Sequence, residues 1–94
     1  MTLLLKDPDA VLDYAIDWGA EYLGEGDLLS ESAWSVDPDE PGGIAVVGSD
    51  FSDSLSTVQA GGGLSGRIYR LANRVVMQSG RVDERSVVLR VEKR

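Results

Sequence analysis

Two runs near the end of the chain, Arg67 to Gln78 and Val82 to Lys93, alternate apolar and polar side chains with a period of two. In the first, Tyr69, Leu71, Val75 and Met77 fall on one face while Arg70 and Arg74 fall on the other. In the second, Val87, Leu89 and Val91 oppose Glu84, Arg90 and Glu92. A helix would scatter these sets around its circumference; a half-buried strand gathers each on one side. Both apolar sets occupy odd positions, so an antiparallel hairpin that brings them together needs a loop with an odd number of residues. Either "SGR" or "SGRVD" meets that condition, with Gly80 at positive φ.

The rest of the chain follows the same grammar. Leu12, Tyr14, Ile16 and Trp18 alternate with Asp13 and Asp17. A helix would also place the two aspartates on one side, but strict alternation with β-branched and aromatic residues favours a strand. The segment "GAEYLGEGD" breaks the pattern and reads as a loop, with room for a short edge segment around Tyr22 and Leu23. "LLSESAWSV" resumes it, with Ser32, Trp34 and Val36 on one face, and stops at the turn signal "DPDEPGG". "IAVVGS" and "LSTVQA" are further strands separated by the turn "DFSDS", and "GGGLSG" is a flexible connection to the final hairpin. Six or seven short strands in 94 residues predict an all-β, immunoglobulin-like antiparallel β-sandwich, with a small barrel as the alternative. Trp18, Trp34, Tyr14 and Tyr69 are its expected large core anchors. Residues 1–10 read as an N-terminal arm and 11–94 as a single domain. A domain of this size buries only roughly 60 to 65 percent of its unfolded surface, so association is expected to support the core.

The residue inventory excludes much chemistry. There is no cysteine and no histidine, which removes disulfides, thiolate sites and the usual zinc and iron ligands. The most accessible general base near neutral pH is also absent. "GGGLSGR" could be taken for a phosphate loop, but it has no Walker lysine and leads into a strand. Asp37, Asp39 and Glu40 in "DPDEP" could meet calcium, but the spaced series of a dedicated calcium loop is missing. Asp13 and Asp17 could be a glycosidase pair, yet among sixteen acidic residues such a pair arises easily by chance. The tryptophans could form a sugar platform, but one of them alternates with apolar neighbours in register, which favours the core. Ser79 and Ser86 have no base partner in the sequence. The expectation is a protein that is not an enzyme and carries no cofactor and no metal. The opening "MTLLLKDPDA" is too short in apolar residues for a signal peptide or a membrane span, which points to synthesis and retention in the cytosol unless a larger assembly carries the protein out.

Charge is divided unevenly. Residues 1–66 carry one basic side chain, Lys6, against thirteen acidic ones, a net of −12; residues 67–94 carry eight against three, a net of +5; the whole is −7. The asymmetry suggests an internal pairing of faces or head-to-tail contact between copies. The overall negative field argues against nucleic acid as partner. Arg70, Arg74 and Arg90 are expected on the outward face of the last hairpin, with Arg81 and Arg85 at or near its tip. They read either as a cross-strand ladder with Glu84 and Glu92 or as a docking face for an acidic partner surface; arginines without an acid on their own strands favour docking.

The order "KDPDAVLDYAIDW", "SESAWSV", "SDFSDS", a glycine-rich connection, "YRLANRV" and "SGRVDERSVVLRVEKR" resembles the phage fiber-tail adaptor proteins of bacteriophages and prophages. The most specific parts are Lys6 to Trp18, the pair Asn73 and Arg74, and Gly80 and Arg81 followed by Asp83, Glu84, Arg85 and Ser86. Departures lie in Gly19 to Gly26 and in the lengthened turn "DPDEPGG". The resemblance implies a virion structural protein of the tail or neck, found in the host cytoplasm during assembly. It implies many copies on a symmetric ring that join a fiber to the tail body, with other tail proteins and neighbouring copies as partners, and with neither nucleic acid nor membrane. The alternative is a carbohydrate- or surface-binding module displayed on the virion.

Overall fold

The computed structural model describes residues 3–19 and 26–93. Seven strands form two sheets: β1 (Leu3–Lys6), β2 (Leu12–Asp17), β3 (Leu29–Asp37), β4 (Ile44–Phe51), β5 (Leu55–Gly62), β6 (Ile68–Met77) and β7 (Val82–Val91). One sheet has the order β1-β7-β6-β3 and the other β2-β5-β4. The sheets face each other as a sandwich and do not close into a barrel, so the barrel alternative falls away. The segment around Tyr22 and Leu23 lies outside the described residues.

The final hairpin keeps the odd loop parity, and its core positions meet across the strands, Tyr69 opposite Leu89 and Leu71 opposite Val87. Its loop is Gln78-Ser79-Gly80, centred one residue earlier than "SGR": the Met77 amide donates to the Arg81 carbonyl and the Gly80 amide to the Met77 carbonyl. Gly80 has φ 94°, as a three-residue hairpin with a left-handed third position requires.

Three details differ from the sequence expectations. The sandwich is not wholly antiparallel, because β1 runs parallel to β7 with Leu3 opposite Val88 and Lys6 opposite Val91. No hairpin sets the direction of β1: the chain leaves it for β2 in the opposite sheet. Residues expected to form an arm therefore contribute an edge strand. Leu4 packs against the core, and Lys6 is 1% exposed. Its Nζ donates to the Gly62 carbonyl at 2.7 Å and the Asp7 carbonyl at 2.8 Å. Burial lowers the Lys6 pKa, against the opposing pull of Asp7 and Asp9. Nor is the glycine-rich connection a loose linker. β5 extends through Gly62, and a Cβ on Gly63 would stand 2.7 Å from Val91 Cγ2 at φ +109°, so this crossing is a close backbone approach that only glycine allows.

The core has two clusters. One gathers Ile44, Val58, Ala60, Tyr69, Leu71, Leu89 and Val91, and the other Ile16, Trp18, Leu29, Val75 and Met77; Trp34 packs against both. Trp18 and Tyr69 are fully buried, while Trp34 and Tyr14 are half-buried. A polar network ties the sheets together. Trp18 Nε1 donates to Asn73 Oδ1 at 2.9 Å, and Asn73 Nδ2 donates to Ser32 Oγ and the Ala33 carbonyl. Ser32 Oγ meets Ser56 Oγ at 2.7 Å, and Trp34 Nε1 donates to the same Ser56 oxygen. Satisfied in this way, buried polar groups fix one register between β2, β3, β5 and β6. Tyr14 Oη is buried with no hydrogen-bond partner among the described residues, and burial raises its pKa.

At one end, Tyr69 Oη joins two glycine turns. It donates to Glu40 Oε1 at 2.7 Å and accepts from the Leu64 amide at 3.1 Å. Burial is the main cause that raises the Tyr69 pKa.

Candidate docking faces

Because strand side chains alternate, each sheet of the sandwich has an inner face in the core and an outer face in solvent. On the outer face of the four-stranded sheet, β6 presents Ile68, Arg70, Ala72, Arg74 and Val76. Register places Val88 and Asp37 on either side of Arg70, and Glu84 and Ala33 on either side of Arg74. Thus a cross-strand acid does neighbour each arginine. Even so, neither Arg70 nor Arg74 closes an ion pair within 4.0 Å among the described residues. Arg90 does: its Nε lies 2.6 Å from Glu92 Oε1. Both members of that pair are close to half exposed, so it contributes little stability and holds the guanidinium loosely.

The five sequence-derived arginines do not share one surface. Arg70, Arg74 and Arg90 do, with the exposed apolar side chains of Leu3, Leu5, Ile68 and Val82 around them. Arg85 pairs in register with Asn73, whose side chain points inward, so Arg85 lies on the other side of the sheet. Arg81 sits opposite Met77 at the base of the hairpin loop. The loop itself is clamped by Asp27, which accepts from the Ser79 amide at 3.1 Å and from Ser79 Oγ at 2.7 Å. These bonds, helped by the charge of Arg81, hold the Asp27 carboxyl below its ordinary pKa.

The outer face of the three-stranded sheet was not recognised as a surface from the sequence. There β2 presents Asp13, Ala15 and Asp17, with Gln59, Thr57 and Leu55 beside them on β5. Asp50 pairs with Thr57 from β4. A bulge between Val46 and Gly48 turns Val47 outward, and Val47 and Val11 close over Gly61. Asp13, Asp50, Thr57 and Gln59 line a shallow depression of about 350 Å³. Asp13 and Asp17 are about 13 Å apart along the strand, beyond the roughly 5 to 9.5 Å used by paired glycosidase carboxylates.

The other candidate chemistries find their groups occupied. Glu40 is engaged by Tyr69 and by Arg67 at 3.6 Å, and among the described residues no three acids assemble as a metal site. In the glycine connection, the amide of Gly63 donates to the Gly42 carbonyl and that of Leu64 to Tyr69 Oη. The amides of Gly66 and Arg67 are likewise engaged, by the Val91 and Leu64 carbonyls. Ser79 Oγ is bound to Asp27, and both tryptophan indoles donate within the core.

The described residues thus form a two-sheet sandwich whose outer faces differ in charge, arginines on one and aspartates on the other. Residues 6–90 match the family described as Podophage GP4 fiber-tail adaptor protein gp77, and the chain belongs to that family. The family is one of phage structural adaptors associated with the tail. No match was found among curated proteins.

Proposed function

We propose that this chain links a tail fiber to the tail body of a podophage, in multiple copies on a symmetric ring, and that the outer face bearing Arg70, Arg74 and Arg90 is one docking face. The observation that carries this reading is the state of Arg70 and Arg74. Both stand exposed on an interior strand, unpaired among the described residues, amid exposed Leu3, Leu5, Ile68 and Val82. Arginine with apolar neighbours is the composition of a contact surface, since its planar head pairs with carboxylates and its stem covers apolar area. Arg81 and Arg85, at the hairpin end and on the reverse side, reach partners other than those of the main face. The protein is made in the host cytoplasm and ends in the virion.

The test is incorporation into particles. Arg70→Glu with Arg74→Glu should abolish incorporation while leaving the thermal melt within about 0.5 kcal/mol of the parent, as expected for surface changes. Normal incorporation of the double variant sinks the proposal.

A further inference from the structure

The two outer faces carry matching patterns of opposite sign. β6 displays Arg70, Ala72 and Arg74, and β2 displays Asp13, Ala15 and Asp17. In each case two charges of one sign flank an alanine, and strand geometry sets both pairs about 13 Å apart. We propose that β2 of one copy packs across β6 of a second copy, so that the acidic outer face of one molecule lies on the arginine-bearing outer face of the next. This rests on the reading of Arg70 and Arg74 as a docking face, and names its occupant.

Four observations support the pairing. Among the described residues Asp13, Asp17 and Asp50 close no ion pair, and the one basic residue among residues 1–66, Lys6, is buried and bound to backbone carbonyls. Each face also exposes large apolar side chains, Leu3, Leu5, Ile68 and Val82 on one, Val11, Val47 and Leu55 on the other. Ala15 and Thr57 in the middle of one face, and Ala72, Ser86 and Ser35 in the middle of the other, are small enough for two sheets to approach closely. Finally, Asp37 on β3 and Glu84 on β7 lie one strand away on either side of the arginines. A sliding acidic strand would be repelled by them, which confines the favourable register to β6. The faces lie on opposite sides of the sandwich, so no molecule can satisfy its own pair. The contact is heterologous and propagates until its rotation closes.

Sedimentation of the purified chain at low salt tests this. The parent should associate with rising concentration, and Arg70→Glu with Arg74→Glu, or Asp13→Lys with Asp17→Lys, should each weaken association by at least about tenfold. An equimolar mixture of the two double variants should recover it with a one-to-one composition, because every junction again joins opposite charges. Thermal melts matching the parent show that the variants are folded. A parent that stays monomeric at millimolar concentration, or association indifferent to these changes, overturns the inference. If Asp13→Lys with Asp17→Lys enters particles normally while the arginine variant does not, the arginine face docks on a different protein. The adaptor reading then stands and this inference falls.

Discussion

Asn73 is the residue whose loss should cost most for its size. Its side chain is fully buried between the sheets, accepts from Trp18 Nε1 and donates to Ser32 Oγ and the Ala33 carbonyl. Asn73→Leu keeps the heavy-atom count and branching of the side chain but removes all three bonds. Ser32 retains Ser56 as a partner. The Trp18 indole loses the acceptor at 2.9 Å, and the Ala33 carbonyl loses a side-chain donor. At about 1 to 3 kcal/mol for each buried group that loses its partner, offset by the apolar gain of leucine, the net cost is about 3 kcal/mol. In a domain of this size that is roughly 15 °C in Tm. Urea denaturation followed by far-ultraviolet circular dichroism measures it. The pairing is isolated by a double-mutant cycle with Trp18→Phe, where a coupling of about 1 kcal/mol or more is expected. A stability within about 0.5 kcal/mol of the parent for Asn73→Leu, or strict additivity in the cycle, refutes the network as a support of the fold.

The other expectations are more local. Leu89→Asp places an unpaired charge in a fully buried position opposite Tyr69 and should unfold the domain; a native circular dichroism spectrum contradicts the assignment of the two faces. Tyr14→Phe removes a buried hydroxyl that has no partner among the described residues, so stability at neutral pH should be unchanged or higher by up to about 1 kcal/mol. Because the raised folded pKa of Tyr14 makes its contribution fully present below the ordinary value of 10.0 and lost as pH rises through the folded pKa, Tyr14→Phe should also lose stability less steeply in alkali. A steeper loss reverses that sign. The depressed pKa of Asp27 means its clamp on Ser79 holds above the ordinary value near 3.8 and is released as pH falls through the folded pKa. Asp27→Asn should therefore speed hydrogen exchange at the Ser79 amide at neutral pH, and unchanged exchange there contradicts the clamp.

Much of the fold was legible because period two is written in the side chains themselves. The odd positions of β6 and β7, the alternation of β2 and the turn at "DPDEPGG" all lead to the strands observed. What was hidden lacks a local signal. β1 reads as three consecutive leucines with no alternation, and its parallel partner β7 is at the other end of the chain. Asn73 interrupts the apolar face of β6, and that polar intrusion was the available hint of an inter-sheet network; its partners Trp18, Ser32 and Ala33 are distant in sequence. For the candidate faces, alternation gave the outward direction of Arg70, Arg74 and Arg90. It could not supply Asp37, which sheet pairing sets opposite Arg70 on β3. The same alternation does put Arg85, at an odd position of β7, on the inward side with Asn73; reading it as a residue at or near the hairpin tip passed over that. The acidic face was written as Asp13 and Asp17 but became a surface only when β4 and β5 were laid beside β2.

If the arginine-bearing outer face docks as proposed, it is covered in the virion. An electron-microscopy map of the assembled tail, with this chain built into it, tests that directly. Arg70 and Arg74 should be buried against carboxylates of an adjoining subunit, with Leu5 and Ile68 covered in the same contact. A map in which β6 turns that face to open solvent contradicts it.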